Sequence, residues 1–329
     1  MGKWFFEYFM NTTVKFNHKD SVSDLTIDKI FLYDIKNVSY GLNFKDKNIV
    51  ITNNMSESVK VCDIIIFCIP VNEIIKIING KTVSFKPGAI IIEISSIKSA
   101  IHKVLSDISM NSNVTTLCIH PMFGPGSSIF ATNKIIHIPV DINKSKNEEG
   151  LINELFPSFE KIIIKSPEKH DLAISVIISL IYFINLVFSK FIVEMSNSKE
   201  FQFEGGLIHF LKKISGSTFK IQSLLSESIL TDDVSLFLTL FIDNDKSITT
   251  IDRYGQLFNN LLSKIEKKDT EHVKEYILSV RNTIEKDIDI NQSYYLLYRF
   301  LNSWTYSIIK HNVIYNPFFI LKTWLQKGG

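Results

Sequence analysis

The chain has 329 residues, 45% of them hydrophobic, with 36 basic against 34 acidic side chains and a formal charge of +2. That length and apolar content suffice for a substantial core and for two domains, while charge spread evenly along the chain offers no basic face for nucleic acid. The three cysteines, Cys62, Cys68 and Cys118, lack metal-like spacing and lie in or beside apolar runs, and the eight histidines show no HExxH arrangement, so reduced buried thiols and no metal centre are expected.

The first residues, MGKWFFEYF, set a glycine directly before an aromatic-rich helix with no strand leading in. They lack the basic-then-apolar plan of a signal peptide, and a cytoplasmic protein is expected. From residue 29 to about 164, short runs rich in isoleucine and valine alternate with helical stretches: IFLYD (30–34), NIVIT (48–52), DIIIFCIP (63–70), AIIIEI (89–94), TTLCIHP (115–121) and KIIIK (161–165). Continuous apolar runs, rather than alternating ones, predict strands buried on both faces of a parallel sheet. The predicted fold is therefore α/β, a Rossmann-like doubly wound parallel sheet in residues 1–165 followed by an all-α domain in 166–329. The helical domain is expected to supply a substrate wall and a homodimer interface.

In that second part, helical patterns run over 201–212, 218–230, 232–242, 247–266, 270–287 and 293–311. Before them, Leu172 to Ser189 is eighteen residues without a charge, near the lower limit for a membrane span. Ser175, Ser179, Tyr182, Asn185 and Ser189 recur there at spacings of four, three, three and four, which places them in one stripe of a helix. The stripe predicts a core helix with one face on a cleft rather than a membrane span.

Open parallel sheets bind ligands beyond the carboxyl ends of their strands, so the residues just after each strand are the candidates for chemistry. Asp34 ends IFLYD, where an acidic side chain takes the ribose hydroxyls of NAD; Lys36 close behind could instead hold a 2′-phosphate, and NAD is favoured over NADP. Cys68-Ile69-Pro70-Val71 follows a strand where the chain would pass over a cofactor, with Pro70 suited to a turn or a helix start. Ser95-Ser96-Ile97-Lys98 leaves the next strand with two hydroxyls and an ammonium at a helix start, suited to anionic or hydroxylated groups. After the following strand comes His120 in CIHPMFGPG, held by proline and glycine turns and placed to exchange a proton with a hydroxyl in the crevice.

EISSIK followed by HPMFGP, then SPEKHD and S-x-x-x-F-K at 215–220, resembles the prephenate dehydrogenase family over most of the chain. The resemblance implies NAD-dependent oxidative decarboxylation of prephenate, or of arogenate, on the way to tyrosine. It implies a catalytic His120 that takes the proton of the substrate's ring hydroxyl, a supporting Ser96, and Lys98 adding positive charge beside the substrate. Cofactor contacts would come from Gly2, Asp34, Ile69, Pro70 and Ser95, and substrate contacts from Ser179, Tyr182, Lys220 and Ser228.

The departures from the family pattern are specific. Ile178 and Tyr182 stand where many members carry a glutamine and a histidine, and Lys220 and Ser228 stand at the two positions of a pair of arginines eight apart. A serine supplies neither the charge nor the fork of the second arginine, the family's main anchor for the substrate carboxylate. The chain has only Arg253, Arg281 and Arg299, so Lys98, Lys212, Lys213 or Lys220 would have to compensate. Gly2 reads as the third glycine of a G-x-G-x-x-G loop whose first strand and first two glycines are expected upstream of Met1. Two other readings remain open: a dehydrogenase of another hydroxy acid, and a non-catalytic family member that binds or regulates.

Overall fold

The computed structural model describes residues 1–11, 14–18, 21–25, 27–35, 48–80, 82–141 and 143–312; Lys36 lies outside them. By their contacts the residues form two compact units, Met1–Phe183 with Asp232–Ile251, and Ile184–Thr231 with Asp252–Gly329.

The first unit begins with helix α1 (Gly2–Asn11), an antiparallel hairpin of β1 (Val14–His18) and β2 (Ser21–Leu25), and a parallel pair, β3 (Ile30–Leu32) with β4 (Ile49–Ile51). There follow α2 (Met55–Val59), β5 (Ile64–Phe67), α3 (Val71–Asn79), β6 (Ile90–Glu93), α4 (Ser99–Asn111), β7 (Thr115–Pro121), β8 (Lys134–Ile138), α5 (Ser145–Leu155) and β9 (Glu160–Ile163). Strands β5 to β9 pair in chain order in one five-stranded sheet. Phe67 pairs with Glu93 and Glu93 with Cys118, so the carboxyl ends of β5, β6 and β7 come level.

One strand breaks the expected parallel pattern. β8, in the run KIIHI, lies antiparallel to β7 with His120 opposite Ile136. The chain turns back through a loop and needs no crossover helix, which is the connection an antiparallel neighbour permits. The hairpin β1–β2 was likewise outside the predicted strands.

The isoleucine runs are buried on both faces, as their continuity requires. Ile91, Cys118, Ile136 and Ile138 pack one way, with Val71, Ile74, Ile101 and Leu105 of α3 and α4. Ile92, Leu117, Ile119 and Ile135 pack the other way, with Ile152 and Leu155 of α5 and Trp4, Phe5 and Tyr8 of α1. Each such side chain contributes on the order of 1.5–3 kcal/mol by leaving water. The polar tips on α1 are satisfied: the Trp4 indole N–H donates to the Ser127 carbonyl at 2.8 Å and Tyr8 Oη to the Leu155 carbonyl at 3.1 Å.

After the sheet, one long helix carries α6 (Pro167–Ile174), a wider π turn (Ser175–Leu180) and α7 (Ile181–Ser196). Its start is written in SPEKHD: Ser166 caps it by accepting the Lys169 amide, and Pro167 occupies the first turn, where no intrahelical donor is needed. Then come α8 (Leu207–Ile214), α9 (Ser217–Ile229), α10 (Val234–Phe241), α11 (Asp245–Glu266), α12 (Thr270–Ile284) and α13 (Ile290–Asn312). The stretch Pro167–Ser196 is long and apolar enough to cross a membrane by length and composition, but its burial runs opposite to the expected core helix. The polar stripe faces inward, with Ser175, Ser179 and Asn185 buried, while Leu172, Val176, Ile177 and Ile181 are each 43% or more exposed. Inward partners explain the direction: Ser175 Oγ meets Thr250 Oγ1 at 2.8 Å, Tyr182 Oη donates to Asp232 at 2.7 Å, and Asn185 Oδ1 accepts from Ser226 Oγ at 2.8 Å.

In the second unit, α8 and α9 are tied by Lys212 and Glu227 at 2.6 Å. Phe188 on α7 meets Phe219 on α9 edge-on.

Candidate active site

The site is built where β6 and β7 end. His120 is the penultimate residue of β7 and is buried. Its Nδ1 lies 3.0 Å from His170 Nε2, and His170 Nδ1 lies 2.8 Å from Asp171 Oδ1. His170 is fully buried one turn into α6, where the Ser166 cap and Pro167 set the phase of the helix. Asp171 also accepts the Lys98 and Ser99 backbone amides, each at 2.8 Å, and the Ser99 hydroxyl, which joins α6 to the first turn of α4.

These bonds decide protonation. Burial of Asp171 would raise its pKa, but the bonds from His170, the Ser99 hydroxyl and the two amides outweigh it and hold the carboxyl below its ordinary value. A charged Asp171 accepts from His170 Nδ1–H, which leaves Nε2 of that ring as an acceptor and makes His120 the donor through its Nδ1. His120 Nε2 then carries the lone pair, and no described residue hydrogen-bonds to it. Burial, followed by the nearby Lys98 and His170, pushes the His120 pKa well below 6.5. A buried ring held neutral, with its outer nitrogen available, is the arrangement a general base needs.

Lys98 does not add charge to an open crevice. It is fully buried, and its Nζ donates to Glu93 Oε2 and to the Ile119 carbonyl, both at 2.7 Å. The acid that draws it inward ends β6, five residues earlier. Lys98 therefore braces the end of β7 beside His120 and reaches that ring through space as a neighbouring charge. Ser96, expected to support that histidine, is half-buried with no described residue bonded to its hydroxyl, and the described partner of the His120 ring is His170.

Apolar contacts close the same region. Met122, just past β7, packs against a buried cluster of Ile97, Ile174 and Leu240, on which Ile178, Tyr182, Leu236 and Phe241 also pack. Tyr182 thus belongs to the neighbourhood of the β7 end, its hydroxyl held by Asp232 and its ionisation pushed upward by burial and then by that carboxylate. Ser179 is fully buried with a hydroxyl that finds no partner among the described residues. It lies in the π turn, a local widening of the helix that recurs at functional sites.

The expected cofactor contacts fall at strand ends. Gly2 is exposed at the first turn of α1, and a Cβ built there would meet Cys68 Cβ, just past β5, at 3.6 Å. Asp34 is exposed two residues past β3. Ile69 is 39% exposed, and Pro70 takes the N-cap of α3 rather than a position inside it. Ser95 closes its own turn, its hydroxyl donating to the Ile97 carbonyl at 2.9 Å and its amide to Glu93. Lys220 and Ser228 belong to the second unit; both are exposed, and the Ser228 hydroxyl bonds back to the Leu225 carbonyl at 2.9 Å.

His170, Asp171 and Glu93 are the site residues that the sequence did not single out. The signal was present for the first two: adjacent titratable residues one turn after a Ser-Pro cap, at the head of an uncharged helix.

Comparison with known proteins follows this geometry. Residues 26–146 match the family model described as prephenate dehydrogenase, nucleotide-binding domain. The likeness to the prephenate dehydrogenase family is carried by this nucleotide-binding part of the chain. A protein of Methanocaldococcus jannaschii named "Probable arogenate/prephenate dehydrogenase" is 30% identical over 186 residues, which span 56% of this chain and 38% of that relative's length. The prephenate dehydrogenase of Aquifex aeolicus, solved with hydroxyphenyl propionate and NAD+, superposes with a TM-score of 0.59 at 19% identity, covering 78% of this chain and 88% of that one. A second structure of the Aquifex aeolicus enzyme gives a TM-score of 0.60 at 18% identity, covering 78% of this chain and 90% of that one. The likeness to the solved prephenate dehydrogenases is one of fold, a Rossmann-like sheet with a helical region after it.

Proposed function

We propose that this chain is an NAD-dependent dehydrogenase that oxidatively decarboxylates prephenate to 4-hydroxyphenylpyruvate, with arogenate as the alternative substrate. The observation that carries the reading is His120 at the end of β7, neutral, with Nδ1 engaged by His170. The family match and the NAD+ in the Aquifex aeolicus structure support the cofactor.

The residues present suit that cofactor. The exposed start of α1 stands against Cys68 at the end of β5, and a helix start there offers backbone amides to a pyrophosphate. Asp34, just past β3, is at the place for ribose hydroxyls. NAD, when bound, supplies the hydride acceptor. His120 Nε2 takes the proton of the ring hydroxyl as the carbon beneath it becomes a carbonyl. Loss of carbon dioxide leaves its bonding pair in the ring, and His120 returns the proton to the phenolate oxygen. Lys98 and Glu93 hold the strand end from which the base projects, which keeps base and substrate oriented. The exposed apolar side chains Leu172, Val176, Ile177 and Ile181 support a homodimer as the working form.

The test is purified protein supplied with NAD and prephenate, and separately arogenate, with absorbance of NADH and release of carbon dioxide as readouts. Turnover that His120→Ala abolishes supports the reading. NAD binding without turnover of either substrate points to a different hydroxy acid, and failure to bind NAD points to a non-catalytic relative.

A further inference from the structure

Beyond the base itself, the geometry points to His170 as a positioning residue that, with Asp171, sets the tautomer of His120 and takes up part of the charge His120 acquires. This rests on the reading of His120 as the proton acceptor.

The three side chains form a directional relay, Asp171 Oδ1 to His170 Nδ1 at 2.8 Å and His170 Nε2 to His120 Nδ1 at 3.0 Å. A free imidazole carries its proton on either nitrogen, and only the Nδ1–H form of His120 leaves Nε2 as a base. Asp171 removes that ambiguity across two rings, because a carboxylate can only accept. It is fixed from the far side by the Lys98 amide, the Ser99 amide and the Ser99 hydroxyl, and its own carbonyl accepts Asn244 Nδ2 at 3.1 Å. When His120 gains a proton at Nε2, its Nδ1 proton is shared with His170, whose other nitrogen faces Asp171. Positive charge thereby moves away from Lys98 and toward a carboxylate. The ionisable groups facing the relay are Lys98 with its partner Glu93, from the β6–α4 turn, and Asp171 on the helix of His170.

The arrangement has an anion, an intermediate ring and a working ring, one ring longer than a serine-protease triad. In that triad, spoiling the tautomer by an Asp to Asn change lowers turnover about 10⁴-fold. Asp171→Asn is a poor probe here, since both carboxylate oxygens accept backbone amides and an NH₂ would face an N–H whichever way it turned. His170 is the better site. His170→Gln keeps one donor for Asp171 and one acceptor for His120 about as far apart as the ring nitrogens, whereas His170→Ala keeps neither.

The experiment joins turnover to nitrogen NMR of the ¹⁵N-histidine-labelled full chain, with His120 assigned by its loss in His120→Gln. The expected spectrum at neutral pH shows His120 protonated at Nδ1 and unprotonated at Nε2, and His170→Ala shifts it toward the Nε2–H form. In turnover, His170→Ala lowers kcat about 10²–10⁴-fold and moves the acid limb of its pH profile, with KM for NAD unchanged, and His170→Gln recovers at least about tenfold of the loss. A wild-type His120 found as Nε2–H, or a His170→Ala enzyme with unaltered kcat and pH profile, overturns the inference. The NMR readout needs no substrate, so a chain inactive on prephenate and arogenate would refute the proposed reaction while leaving the tautomer result to decide the role of His170.

Discussion

Two successive stretches of one helix handle buried polar groups in opposite ways. In α6, His170 and Asp171 are saturated: every ring nitrogen and carboxylate oxygen has a partner, and the bonds reach β7 and α4. About two turns later, Ser179 is as deeply buried yet has no described partner, although Ser175, one turn before it, is bonded to Thr250. Saturation fixes a geometry, whereas an unpaired buried hydroxyl is a standing cost that a bound polar group could remove. On the proposed reading, the first stretch orients the base, and the unpaired Ser179 hydroxyl in the second is the expected contact for substrate.

The largest expected effect concerns the brace behind the relay. Lys98→Met leaves Glu93 charged and buried without its partner, and should destabilise the fold by about 3–5 kcal/mol in urea unfolding. A loss below about 1 kcal/mol would mean that the pair is hydrated and the β7 end is loosely held. Next comes pH. The neutral His120 stabilises the fold fully above its unfolded pKa of 6.5. As pH falls through that value the unfolded ring binds a proton that the buried ring cannot, so stability declines toward the lower folded pKa. Stability measured between pH 7 and 5 should therefore fall, and His120→Asn should flatten the slope. Asp171, whose folded pKa lies below 3.8, adds a further loss only as pH drops beneath about that value.

Smaller effects separate the bonded hydroxyls of the helix from the unbonded one. Tyr182→Phe and Ser175→Ala each remove an observed bond and should cost about 1 kcal/mol. Ser179→Ala removes none, and its stability should change by less than about 0.5 kcal/mol or rise slightly. If Ser179 holds substrate, that same variant raises KM while leaving the His120 pH profile in place. An Ser179→Ala protein destabilised as much as Ser175→Ala would remove the distinction.

How much of this was legible in the sequence follows from what a pattern encodes. Runs such as AIIIEI and TTLCIHP announce strands buried on both faces, because only a covered sheet removes both faces from water. The direction of β8 was not legible, since KIIHI reads the same whether it runs parallel or antiparallel to β7. The stripe from Ser175 to Asn185 was legible as a helical period, but periodicity gives an angle and not which side faces inward. The place of His120 could be read because a strand end positions backbone and side chain together. The direction of Lys98 could not, because it depends on Glu93 across a turn, and the partner of His120 is fifty residues away in the chain.

The central claim is that His120 works as a base kept neutral by burial, with Lys98 and His170 beside it. Its most direct measurement is the pH dependence of kcat for NADH formation from prephenate, in wild type and in His120→Asn. The account predicts a wild-type plateau that extends below pH 6.5, with the acid limb lying under the ordinary histidine value, and no such titrating limb in the variant's residual rate. A wild-type limb at or above 6.5, or a His120→Asn enzyme with wild-type turnover, would contradict it.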